Sequence, residues 1–115
     1  MLRRTKDPVN QPNIAFNEER GYIPLGLLKS REWIEDPRRM LFSMSRYKFV
    51  GKLFSGRKNV LEVGCGDGFN APLVLQEVEN LTLTDFCEEF IEDARARAQL
   101  PRQPHRRHLR RRLFP

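Results

Sequence analysis

The sequence predicts an α/β fold, in which a lead-in helix precedes strand, helix, strand and helix and the parallel sheet is incomplete. Three observations carry this. A short apolar run, Val60, Leu61 and Val63, ends in glycines at alternate positions, Gly64, Gly66 and Gly68. Asn70 and Pro72 then offer a helix cap and an early helical proline, with Leu73, Val74, Leu75 and Val78 as an apolar face from about Ala71 to Glu79. Finally, Leu81-Thr82-Leu83-Thr84 alternates like a strand, ends in Asp85, and runs into a further helical segment, Glu88 to Ala98. A connection of this length between two strands makes them parallel, with a right-handed crossover.

In chain order, residues 1–35 are broken by Pro8, Pro12, Gly21, Pro24 and Gly26 and read as an irregular arm, with a short helical piece near Phe16–Arg20. The apolar patch Tyr22, Ile23, Leu25, Leu27 and Leu28 is expected to pack on the domain that follows, residues 36–98, with covering a ligand as the alternative its chemistry leaves open. Asp36-Pro37 is a helix start, and Met40, Leu41, Met44, Tyr47, Val50 and Phe54 supply an amphipathic face. Gly51 weakens that helix by about 1 kcal/mol relative to Ala. The last helix is acidic early (Glu88, Glu89) and basic late (Arg95, Arg97), which suits its dipole. Pro101 stops it.

The net charge of +6 is localised: residues 101–115 hold six arginines and no acid, so residues 1–100 are neutral. Residues 99–115 read as a basic, disordered tail. Nucleic acid is an expected partner only through Arg102, Arg106, Arg107, Arg110, Arg111 and Arg112, by salt-dependent attraction blind to sequence. Cys65 and Cys87 make no disulfide framework, and no apolar run is long enough for a bilayer, so a cytoplasmic protein without a membrane partner is expected. No zinc spacing joins the cysteines to His105 and His108, and no metal is expected.

In an open α/β sheet, ligands sit outside the carboxyl ends of the strands, where Gly64, Gly66, Gly68 and Asp85 all fall. A glycine loop lets backbone approach a ligand. An acid nineteen residues beyond Gly66 is placed to accept from a ribose hydroxyl pair. Blander readings stand beside these: a tight turn for the loop, a helix cap for Asp85, core for Phe86, and small packing residues for the cysteines. An NAD(P)-binding oxidoreductase fragment is the rival nucleotide reading. The dinucleotide pattern, however, needs a third small residue where this chain has Phe69.

Glu62-Val63-Gly64-Cys65-Gly66-Asp67-Gly68 resembles the first motif of class I S-adenosylmethionine-dependent methyltransferases, and Leu83-Thr84-Asp85-Phe86 is similar to the end of their second strand. The stretch Arg46-Tyr47-Lys48-Phe49-Val50 resembles the helical lead-in of a bacterial subgroup, so the likeness covers roughly residues 33–98. It implies a partial Rossmann-like methyltransferase fold that binds S-adenosylmethionine. Gly64, Gly66 and Gly68 would approach its methionine part, Glu62 its amino group, Asp85 the ribose and Phe86 the adenine, with Asp67 a secondary contact and the helix N-terminus near Asn70 facing the carboxylate. The acceptor, expected to be a small molecule, is not identified, and no catalytic base is named. The resemblance lacks the family's second half, so a truncated or frame-shifted product of weak or no activity is expected, with the break near Gln99.

Overall fold

The computed structural model describes residues 4–98 and 110–113. A 3-10 turn at Pro8–Asn10 leads into helix α1 (Gln11–Arg20), then α2 (Leu27–Glu35), α3 (Arg38–Leu53), β1 (Asn59–Val63), α4 (Ala71–Leu75), β2 (Asn80–Thr84), α5 (Glu88–Ala98) and β3 (Arg110–Leu113). The strands form one sheet in the order β1-β2-β3, all parallel. Asn59 to Val63 lie in register with Asn80 to Thr84, and Asn80 to Leu83 with Arg110 to Leu113.

The expected lead-in helix and β-α-β-α order are present. Asp36 Oδ1 accepts the Arg38 backbone N–H at 3.2 Å, as a helix-start carboxylate should. Three expectations are corrected. Residues 1–35 are not irregular: Pro12 sits in the first turn of α1, where proline removes no helical hydrogen bond, and a second helix, α2, follows Gly26. The tail is not without structure throughout, because Arg110–Leu113 adds a third strand beside β2. There the backbone N–H and C=O groups of an edge strand supply pairing that side-chain pattern does not reveal. The other tail arginines, Arg102, Arg106 and Arg107, lie outside the described residues. Last, α4 ends at Leu75 rather than near Glu79, since Gly56 N–H reaches Glu77 C=O (2.9 Å) and Glu79 N–H reaches Arg57 C=O (3.1 Å), drawing the chain out of the helix toward the sheet.

The core lies on one face of the sheet. Leu81 and Leu83 of β2 are each 1% exposed and pack with Ala71, Val74, Leu75, Val78 and Ile91, flanked by Tyr47, Val50 and Val60. Full burial of such a leucine is worth about 1.5–3 kcal/mol. On the opposite face Leu61 and Val63 are exposed.

Gly51, read from the sequence as a weak point, is where α3 crosses α4. A Cβ there would stand 2.8 Å from the Leu73 carbonyl oxygen. The apolar stripe of α3 is only partly core: Met40 is buried and Tyr47 and Val50 are half-buried, while Leu41, Met44 and Phe54 are exposed.

Candidate functional site

The glycine loop leaves the carboxyl end of β1 and is bound to the end of β2. Gly64 and Cys65 N–H both donate to Thr84 C=O at 2.9 Å, and Gly66 N–H donates to Asp85 Oδ2 at 2.8 Å. Asp85 Oδ1 accepts Cys87 N–H at 2.8 Å, so this carboxylate caps the approach to α5 and ties the two loops together. Phe86, beside it, is fully exposed and belongs to no core.

The three loop glycines have different surroundings. All have positive φ, but only Gly64 has open space where a Cβ would point. Gly66 lies under Leu28 of α2, where a Cβ would meet the leucine Cδ2 at 3.3 Å. Gly68 is buried against α5 and β2, where a Cβ would meet Ala94 Cβ at 3.0 Å and Leu83 Cδ1 at 3.3 Å. Its smallness serves the approach of the loop to the core.

Asp67, 2% exposed, is engaged inside the protein. Its Oδ2 accepts Leu28 N–H (3.0 Å) and Lys29 N–H (2.9 Å) from the first turn of α2, and its Oδ1 accepts Phe69 N–H (3.1 Å). Those α2 amides have no intrahelical partner, so the loop carboxylate caps a helix distant in sequence.

Beside the loop is a cleft of ≈ 220 Å³, lined by Gly64, Gly66, Asp67 and Asn70 and by side chains from α2 and α3. Its wall contains a buried polar chain. Lys29, 5% exposed, pairs with Glu32 at 2.8 Å and donates to Ser43 Oγ at 3.3 Å. Asn70 Nδ2 donates to the same Oγ at 2.6 Å. Asn70 therefore stands at the start of α4 without capping it, and its Oδ1 is buried with no partner among the described residues. With five residues, α4 also adds little helix dipole.

Glu62 lies on the neighbouring side, where Tyr47 O–H donates to its Oε1. Burial pushes the Glu62 carboxyl above the ordinary carboxylate range, and the Tyr47 bond partly offsets that. Burial foremost, then the Glu62 bond and charge, pushes the Tyr47 phenol above its usual value. Cys65 is driven up to about 11, chiefly by burial and then by the charges of Glu62 and Asp85, which leaves it a thiol at neutral pH. A larger cavity of ≈ 340 Å³ runs along the edge of β1 that bears no partner strand among the described residues. It is lined by Val50, Phe54, Val60, Leu61, Glu62 and Val63 among others. It contains none of the loop glycines, so the chemistry indicated by the loop belongs to the smaller cleft.

The structure thus brings Gly64, Gly66 and Asp67 to one cleft and attaches Asp85 through Gly66. It sets Glu62 on the adjoining cavity, turns Gly68 to the core and leaves Phe86 projecting. Residues 61–110 match a family model described as a methyltransferase domain. The match supports placing this segment with the class I S-adenosylmethionine-dependent methyltransferases. No curated protein and no solved structure matches the chain. The methyltransferase segment begins in β1 and reaches the first residue of β3, so the cleft residues of α2 and α3 lie outside it.

Three of those residues, Lys29, Glu32 and Ser43, are not singled out by the sequence, and Arg46 enters there only within the lead-in stretch, not as a site residue. One signal was available: Ser43 interrupts the apolar face of α3, three residues after Met40 and four before Tyr47. Among the described residues no group of three or more His, Cys, Asp or Glu side chains is placed to hold a metal, and no helix is long and apolar enough to cross a membrane.

Proposed function

We propose that the methyltransferase domain binds S-adenosylmethionine at the glycine loop and transfers its methyl group to an acceptor nucleophile. The observation that carries this is the Gly66–Asp85 bond. The loop that leaves β1 and the acid that ends β2 are held 2.8 Å apart, within the matched segment, at the end of the sheet where such folds take ligands.

The donor set fits the ligand. Each Asp85 oxygen accepts one backbone N–H and keeps a lone pair for a ribose hydroxyl. Phe86 offers an open ring face to the adenine. Gly64 presents bare backbone to the cleft. Arg46, which lines the cleft, suits a carboxylate, while the orphaned Asn70 Oδ1 suits an ammonium group. Whole-ligand pockets run to about 300–1,000 Å³. A cleft of ≈ 220 Å³ therefore takes the amino-acid end, with the nucleoside lying over Asp85 and Phe86.

When bound, S-adenosylmethionine supplies an electrophilic methyl group on sulfur. The chain's part is to hold and orient, which is where most of the rate in such transfers arises. Asp67 supports the loop through its bonds to α2 rather than through the ligand.

Calorimetry with S-adenosylhomocysteine tests the reading. The chain is expected to bind it, and Gly66→Val, with a branched side chain at φ +61° beneath Leu28, is expected to lose binding. Equal heats for the two proteins would refute the assignment.

A further inference from the structure

Between α5, the glycine loop and the start of α2 lies a cluster that the cofactor reading does not use. Arg97 is 9% exposed and makes a directed bond with each guanidinium nitrogen. Its Nε donates to Pro24 C=O (3.2 Å), its Nη1 to Asp67 C=O (2.7 Å) and its Nη2 to Asp93 Oδ2 (2.7 Å). The same Asp93 oxygen accepts Leu27 N–H at 3.1 Å, next to the two amides held by Asp67. The Phe69 ring lies 5.6 Å from the guanidinium carbon, close enough for a cation–π contact.

Gly26 completes the cluster. Its φ is +106°, and a Cβ there would stand 2.3 Å from Arg97 Nη2, 2.7 Å from Asp67 Oδ2 and 2.8 Å from Asp93 Oδ2. Only glycine lets the chain turn here with all three polar groups in place. Two carboxylates and one guanidinium thus hold the first three amides of α2 and the carbonyl before Leu25.

We propose that Gly26, Asp67, Asp93 and Arg97 form a latch that fixes α2 across the glycine loop, making Asp93 and Arg97 positioning residues for the cleft. Neither is needed against a ligand. They act through α2, which carries Leu28, Lys29 and Glu32 into the cleft wall. Because Asp67 stands between Gly66 and Gly68, the latch also couples the cover to the loop it covers.

The test uses the whole chain with two variants. Arg97→Met removes the centre of the latch. Gly26→Ala opens it from the α2 side and leaves the core of β1, β2, α4 and α5 untouched. Hydrogen exchange at the amides of residues 27–29 is expected to rise about ten- to a hundredfold, the equilibrium factor for one lost hydrogen bond to a charged group, while β2 amides keep their protection. Trp33, the chain's only tryptophan, stands on α2, and its emission anisotropy is expected to fall in both variants. S-adenosylhomocysteine affinity should drop with it.

Unchanged protection at residues 27–29 would overturn the latch, as would an equal rise across the whole chain in both variants. A local rise that leaves affinity intact would overturn the positioning role. The affinity arm rests on the function proposed above, whereas the exchange and anisotropy arms do not. A wild-type chain that binds no S-adenosylhomocysteine would therefore refute the function and leave the latch to be decided by exchange.

Discussion

Tyr47→Phe removes a single hydroxyl, the one that donates to Glu62 Oε1. Burial raises the Glu62 carboxyl and the hydroxyl pulls it back, so the variant should titrate higher still. Because folded Glu62 titrates above its unfolded value, its contribution to stability is complete below the unfolded pKa and is lost as pH rises through the folded one. Tyr47 itself, raised by burial and by Glu62, stays a donor throughout neutral and mildly alkaline solution. A bond to the protonated carboxyl is worth about 1 kcal/mol and one to the carboxylate about 1.5–3 kcal/mol. Both side chains are half-buried, so solvent screening favours the lower part of that range. The cost of Tyr47→Phe should therefore grow from about 1 kcal/mol in acid to about 2 kcal/mol at neutral pH. Urea unfolding of the wild type, Tyr47→Phe, Glu62→Gln and the double variant across that range measures it. In the Glu62→Gln background the pH dependence should vanish. A cost that is constant with pH, or a dependence that survives Glu62→Gln, would refute the reasoning.

Gly51→Ala sets helix propensity against close contact. Propensity favours Ala by about 1 kcal/mol. A Cβ 2.8 Å from the rigid Leu73 carbonyl brings an overpacking cost of about 1–3 kcal/mol. Contact should win, with a net loss of about 1 kcal/mol in urea unfolding, and a stabilised variant would show that α3 and α4 do not meet there. NAD should fail to displace S-adenosylhomocysteine in competition calorimetry, because Phe69, beneath Arg97, fills the position of the third small residue of a dinucleotide loop. Displacement at comparable concentration would restore the dinucleotide reading.

Much of the α/β segment was legible because its signals are local. The alternation of Leu81 and Leu83, the proline at Pro72 and the charge gradient of α5 each depend on neighbours a few residues away. The helix α2 was not legible. Its N-terminal amides are satisfied by Asp67 and Asp93, 39 and 66 residues further along the chain from Leu28 and Leu27 respectively. No capping residue therefore appears where a sequence reader looks for one, and Gly26 reads as a breaker. The capping role of Asp67 is hidden for the same reason: an acid between two loop glycines looks only like a ligand contact until the helix that it caps is in place. Gly68 shows the converse. Spacing made it one of three equivalent glycines, and only the position of Ala94 distinguishes a glycine needed for close approach from one that faces a ligand.

The cleft joins two parts with different sequence character. The loop and Asn70 come from the matched methyltransferase segment, whereas Lys29, Glu32, Ser43, Arg46 and Tyr47 come from α2 and α3 outside it. Along the wall, Glu32, Lys29, Ser43 and Asn70 form a nearly buried polar chain where an apolar wall would be simpler to stabilise. A buried ion pair of this kind gains little over well-packed apolar side chains of the same volume, and removing one partner leaves an uncompensated charge. The chain ends, moreover, in an acceptor, Asn70 Oδ1, left without a protein donor among the described residues. Such a group costs about 1–3 kcal/mol unless something donates to it. An ammonium group seated beside Gly64 and Gly66 would do so, in line with the cofactor reading proposed above.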